Sequence, residues 1–122
     1  MKKKVLIVDD EKDVLRIVGK RLSYAGYDVI TAESGSEALI KAQKEKPGLI
    51  ILDVLMPGMD GAETANALKR NVATKDIPVI FLTCLLTKGE EKNRRVIGGK
   101  YFISKPYDPK ELIKAVSGYL DR

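Results

Sequence analysis

Short unbroken apolar runs alternate along this chain with stretches whose apolar residues recur every three or four positions. The first run, Lys4–Val8, is apolar from Val5 onward and ends in Asp9-Asp10-Glu11, which predicts a strand stopped by charge. Beyond it, Val14, Val18 and Leu22, with Leu15 beside them, mark one stripe of a helix that Gly26 ends as a C-terminal glycine. Asp28–Ala32 predicts a second strand. Ser34-Gly35-Ser36-Glu37 has the spacing of a capping box and opens a helix with Ala38, Leu39 and Ala42 inward. Pro47-Gly48 breaks that helix, and Leu49-Ile50-Ile51-Leu52 then runs without a polar residue into Asp53. The chain turns at once through Pro57 and Gly58, and Asp60 with Glu63 caps a third helix with Ala65 and Leu68 inward. Pro78–Thr83 predicts a fourth strand. Thr87 with Glu90 offers the cap of a fourth helix, poor in apolar residues, with only Val96 and Ile97 before Gly98-Gly99. Lys100–Ser104 predicts a fifth strand, and Asp108-Pro109-Lys110-Glu111 starts a last helix with the stripe Leu112, Ile113, Val116 and Leu120.

A run as short and continuous as residues 49–52 belongs to a strand buried on both faces, the kind found in parallel sheets covered by helices. Strand and helix alternate from one end of the chain to the other with no internal repeat and no linker, so the expected class is α/β, a single domain over residues 1–122. Right-handed crossovers then give a doubly wound, flavodoxin-like sheet of five parallel strands in the order 2-1-3-4-5, with five helices in three α/β/α layers. In that order the first and third strands are neighbours at the switch point, where ligands bind beyond the carboxyl ends of the strands.

Composition narrows the chemistry. Lys and Arg number 22 against 17 Asp and Glu, a net charge of +5. Only Lys2-Lys3-Lys4 and Lys92-Asn93-Arg94-Arg95 are clusters, and neither is interleaved with aromatics, so the excess reads as a solvated surface and direct nucleic-acid binding is not expected. The single cysteine, Cys84, excludes an internal disulfide and fits a reducing compartment. No apolar run is long enough to span a bilayer, and the basic N-terminus runs straight into Asp9-Asp10, unlike a signal peptide, so no membrane partner and a cytoplasmic location are expected. There is no histidine, which excludes Ser-His-Asp and Cys-His nucleophile systems, histidine zinc sites and a phosphohistidine on this chain.

The polar residues at the strand ends point to one edge of the sheet: Asp9 and Asp10 after the first, Asp53 after the third, Thr83 after the fourth, Lys105 after the fifth. Each alone has a plain explanation: Asp9 or Asp10 as a helix cap, Thr83 as a β-former, Lys105 as a surface lysine. Together they make a site. Three carboxylates at one edge repel each other, and Mg²⁺, which binds through a few carboxylates, waters and phosphate oxygens, removes that cost. A hydroxyl and an ammonium beside the metal are what the peripheral oxygens of a phosphoryl group require, and Asp53 can serve as the nucleophile that forms an aspartyl phosphate.

Val5-Leu6-Ile7-Val8-Asp9-Asp10, Leu52 through Gly61, Phe81-Leu82-Thr83 and Ser104-Lys105-Pro106-Tyr107 together resemble the receiver domain of two-component response regulators, of the single-domain chemotaxis-regulator kind, over essentially the whole chain. The resemblance implies Asp53 as phospho-acceptor, Asp9 and Asp10 holding Mg²⁺ directly or through water, and the Leu55 backbone carbonyl as a further metal ligand. It implies that Thr83 binds a phosphoryl oxygen, that Lys105 pairs with the phosphate before a cis bond to Pro106, and that Phe102 is the switch aromatic. The donor would be a sensor histidine kinase or a histidine phosphotransfer protein, and the signal would leave by the face of the fourth helix, fifth strand and fifth helix toward an output partner. Such a domain is a switch, not an enzyme. Gly98-Gly99-Lys100-Tyr101 departs from the family's usual Gly-Ala-Asp-Asp, and Cys84 stands where a small Ala or Ser is usual.

The alternative is a Mg²⁺-dependent phosphohydrolase with an aspartate nucleophile. Those enzymes want a second aspartate two residues after the first, and Leu55 occupies that place. A flavin-binding module would want a Ser/Thr/Gly-rich loop where this chain has Asp9-Asp10-Glu11, and Gly98-Gly99-Lys100 lacks the rest of a Walker A pattern.

Overall fold

In the computed structural model residues 3–54, 58–83, 96–97, 100–104 and 109–120 are described, with the backbone alone at 83, 96–97, 100–104 and 109. Strands β1 (Lys4–Val8), β2 (Asp28–Ala32), β3 (Leu49–Asp53), β4 (Val79–Thr83), β5 (Val96–Ile97) and β6 (Lys100–Ser104) form one sheet in the order β2-β1-β3-β4-β6-β5. Neighbours are parallel throughout, except that β5 lies antiparallel to β6. Among the described residues there are four helices: α1 (Lys12–Tyr24), α2 (Gly35–Glu45), α3 (Gly61–Arg70) and α4 (Pro109–Leu120).

Successive side chains of a strand face opposite sides, and here both sides are apolar. Val5 and Ile7 of β1, Leu49 and Ile51 of β3, and Ile80 and Leu82 of β4 pack with Leu15, Val18 and Leu22 of α1 and Leu112 and Val116 of α4. Leu6, Val8, Ile50, Leu52 and Phe81 face the other way, against Ala38 and Ala42 of α2 and Ala65 and Leu68 of α3. The result is three layers, with β1 and β3 buried at the centre. Each such Leu or Ile contributes about 1.5–3 kcal/mol by leaving water. Alanine-rich faces on α2 and α3 let those helices approach the sheet closely. No helix among the described residues is long and apolar enough to cross a membrane.

The helix ends follow local chemistry. Gly26, at φ 99°, ends α1: its N–H donates to Ser23 O and that of Tyr27 to Leu22 O, the paired bonds of a Schellman motif. Ser34 caps α2 by accepting from the Glu37 N–H at 3.1 Å, but the Glu37 carboxylate returns to the Glu33 N–H, one residue further out than a capping box requires. That helix stops at Lys46, in the left-handed region at φ 49°, one residue before Pro47. Asp60 and Glu63 close a complete capping box at the start of α3.

The structure departs from the sequence expectation at Val96 and Ile97. Instead of ending a fourth helix they form β5, a two-residue strand antiparallel to β6, so the sheet has a strand that a five-strand plan lacks. A β-branched pair suits an extended edge strand better than a helix turn. The rest of the expected helix, with its cap at Thr87 and Glu90, lies outside the described residues.

Candidate functional site

All parallel strands end at one edge, and the reversal of strand order lies between β1 and β3, which carry β2 and β4 on their outer sides. Val5 pairs with Leu49 and Val8 with Leu52, so the residues that follow, Asp9 and Asp53, emerge side by side although they are far apart in sequence. The crevice beyond such a switch point is where an open parallel sheet binds its ligand.

Asp9 and Asp53 are buried, at 0% and 4% exposure, while Asp10 is exposed. Each of the three places a carboxylate oxygen within 4.8 Å of the others. The Asp9 N–H donates to Ala32 O at 3.1 Å, which extends the β1–β2 pairing by one residue and holds Asp9 in line with the strand. Its Oδ1 accepts from the Glu11 N–H at 2.9 Å, so α1 is not capped by Asp9 or Asp10; the N-cap position is Glu11, with no side-chain cap bond. Asp53 closes β3, paired across the sheet with Leu82, and the Val54 N–H donates to Leu82 O at 3.1 Å.

Two buried charges of like sign this close repel by about 3 kcal/mol at an effective dielectric of ~20. A fold tolerates such a pair where a cation or a cationic side chain answers it. The donor set is all carboxylate oxygen, the set a hard cation prefers. Two ligands of one Mg²⁺ at about 2.1 Å from the ion stand at most about 4.2 Å apart. Carboxylates gathered this closely suit one such ion, held directly or through water.

Thr83 is the last residue of β4 and pairs with Ser104, the last of β6, at the same edge. Phe102 is paired with Phe81 within the sheet, two residues short of that end. The side chains of Thr83 and Phe102 lie outside the described residues, as do Leu55, Lys105 and Pro106 altogether. The structure thus brings Asp9, Asp10 and Asp53 together and sets the strand positions of Thr83 and Phe102. Sequence reasoning misses two contributors: the Glu11 amide, which fixes the Asp9 carboxylate, and Gly61, whose N–H donates to Val54 O at 2.9 Å just behind Asp53. A glycine at the first position of a capped helix, where most residues would serve, is the signal for the second.

The sequence pattern of the response regulator receiver domain family matches residues 5–117. A probable transcriptional regulator, ycf27, of Porphyra purpurea is 41% identical over 121 residues, 99% of this chain and 49% of that protein. The alkaline phosphatase synthesis transcriptional regulatory protein PhoP of Bacillus subtilis is 39% identical over 125 residues, covering 100% of this chain and 50% of its own length. The chain spans about half the length of the curated relatives it matches. Among solved structures, the chemotaxis protein CheY4 of Vibrio cholerae superposes with a TM-score of 0.84 at 35% identity, covering 98% of this chain and 99% of that one.

Proposed function

Because the chain belongs to the response regulator receiver domain family, we propose that it is a phosphorylatable switch whose acceptor is Asp53. The observation that carries the proposal is the convergence of Asp9, Asp10 and Asp53 at the carboxyl edge of the sheet. A carboxylate oxygen of Asp53 attacks the phosphorus of a phosphohistidine on a sensor kinase or phosphotransfer protein; the phosphorus–nitrogen bond breaks, and the electron pair leaves with the imidazole. Asp9, Asp10, Asp53 and the Leu55 carbonyl would hold Mg²⁺, which supplies charge for the phosphoryl oxygens. Asp9, fixed by the Glu11 amide and the β2 carbonyl, keeps its place while Asp53 reacts. Thr83 would donate to a phosphoryl oxygen and Lys105 would pair with the phosphate. Leu55, two residues after Asp53, offers no acid or base, which speaks against the phosphohydrolase alternative and for a product that persists as a signal.

The domain occupies residues 1–122 and belongs in the cytoplasm with its kinase. The relatives named as transcriptional regulators are about twice as long as this chain. A protein carrying this domain would act on DNA through its other half, without nucleic acid touching the domain itself. The five-helix plan also belongs to this proposal: parallel pairing of β4 with β6 requires a crossover between them, where the fourth of the five helices would stand.

With acetyl phosphate and Mg²⁺, intact-mass analysis should show one added phosphoryl group, and excess chelator should abolish it. Labelling that persists in chelator would remove the metal from the mechanism. On phosphorylation Thr83 moves toward the phosphoryl group and Phe102 turns into the space it leaves, an easy turn for a ring with no hydroxyl to pair. The change reaches the face formed by the expected fourth helix, β6 and α4. Amide NMR shifts on adding beryllofluoride should therefore include residues 84–105; shifts confined to residues 9–11 and 53–61 would contradict the switch.

A further inference from the structure

The connection from β3 to α3 begins at Val54, directly after Asp53, and re-enters regular structure at Gly61. Its two ends meet through the Gly61 N–H, which donates to Val54 O at 2.9 Å. A Cβ on residue 61 would stand 2.4 Å from the Asp53 carbonyl oxygen, 2.7 Å from the Val54 Cα and 3.1 Å from the Asp53 carbonyl carbon. All three are backbone atoms, so no side-chain rotation relieves the clash. Gly61 is not among the residues with positive φ, which include Gly26 and Gly58. Glycine is therefore required at 61 for space and not for its dihedral freedom.

Neither side of this contact can yield cheaply. Asp53 and Val54 are tied to the central sheet through the pairing of Asp53 with Leu82 and the Val54 N–H bond to Leu82 O. The first turn of α3 is fixed by the Asp60–Glu63 capping box, and Ala65, one residue beyond it, is buried against the sheet. Leu55, the proposed carbonyl ligand, lies inside the segment that the Gly61–Val54 bond closes.

We infer that Gly61 is a positioning residue for phosphoryl transfer: it seats the first turn of α3 on the Asp53–Val54 peptide and so sets where the Asp53 carboxylate stands against Asp9 and Asp10. The inference rests on the acceptor reading of Asp53 given above. A side chain at 61 must drive helix and strand end apart by several tenths of an ångström. Misplacement on the order of 1 Å costs in-line chemistry up to about 100-fold.

The test compares Gly61→Ala with Leu68→Ala, a cavity in the same helix that adds no atom near Asp53. Labelling by acetyl phosphate is followed by intact mass across a Mg²⁺ titration, on protein shown to be folded by circular dichroism. Gly61→Ala should label at least ~10-fold more slowly and need more Mg²⁺ for half-maximal rate, while Leu68→Ala stays within about 2-fold of wild type. Amide NMR of the unphosphorylated proteins gives a second readout that needs no phosphoryl transfer: Asp53, Val54 and Leu82 should move further in Gly61→Ala than in Leu68→Ala. Wild-type labelling and wild-type Mg²⁺ dependence in Gly61→Ala overturn the inference, as does equal slowing of both variants. A wild type that takes no phosphoryl group at all overturns the acceptor reading instead, and the amide comparison then decides on Gly61. Should Gly61→Ala fail to fold, Asp60→Ala loosens the same turn without adding bulk; unchanged labelling there refutes positioning by this turn.

Discussion

Asp53→Asn takes up no phosphoryl group from acetyl phosphate and Mg²⁺ under conditions that label the wild-type chain once. The amide matches the carboxylate in size, so the buried end of β3 keeps its packing and its pairing with Leu82. What it loses is the nucleophile, because the amide lone pairs are delocalised and carry no full charge. The neighbours do not replace it. Asp9 is buried, with Oδ1 engaged by the Glu11 N–H. Asp10 is exposed and follows the end of β1. The rate should fall at least ~100-fold, the scale of losing an oriented reacting group. On the proposed reading Asp10→Asn keeps the nucleophile and removes one metal ligand, so it should label to completion at higher Mg²⁺. Wild-type labelling of Asp53→Asn would move the acceptor elsewhere, and peptide mapping of the labelled protein would then find it.

The fold is legible where one physical signal dominates. The run Leu49–Asp53 can only be a strand covered on both faces, and its five residues are all buried. The stripe Val14, Val18 and Leu22 is readable because one face of α1 meets the sheet, but that face is centred nearer Leu15, which is buried where Val14 is only partly so. Caps are legible in kind and less so in detail. Asp60 and Glu63 close their box as the spacing implies, whereas the Glu37 carboxylate accepts from the Glu33 N–H instead of the Ser34 amide. Val96 and Ile97 escape a sequence reading because two apolar residues carry no period. Only pairing with Lys100 and Tyr101 identifies them as a strand, and pairing is a tertiary fact.

At the site, the residue types and their edge are readable from strand ends alone, since the strands that carry them run parallel. What strand ends cannot reveal is which backbone groups hold the carboxylates. The Glu11 amide on Asp9 and the Gly61 contact behind Asp53 depend on how two loops fold back, and neither leaves a periodic trace. Gly61 sits in an Asp-Gly pair that reads equally well as a cap followed by a permissive residue. Only the 2.4 Å distance separates the two meanings.

The same carboxylates predict an inversion of stability with metal. Without a divalent ion, Asp9 and Asp53 face each other as buried like charges, and Asp53→Asn removes one of them while offering Asp9 an N–H donor. The pair's repulsion of about 3 kcal/mol is partly answered by existing partners, so the variant should gain about 1 kcal/mol in chelator. For a domain of this size that raises Tm by roughly 3–5 °C. On the proposed reading Mg²⁺ binds the folded wild type and not the unfolded chain, so at about a hundred times Kd it should add about 2.7 kcal/mol. Asp53→Asn has lost a charged ligand and should gain little. Thermal unfolding in chelator should place the variant above wild type, and unfolding in saturating Mg²⁺ should place it below. If the variant is the less stable protein in chelator, the hydrogen bonds made by the Asp53 carboxylate outweigh repulsion at this edge. If both proteins gain equally from Mg²⁺, the ion binds without Asp53, and the three carboxylates do not act as one site.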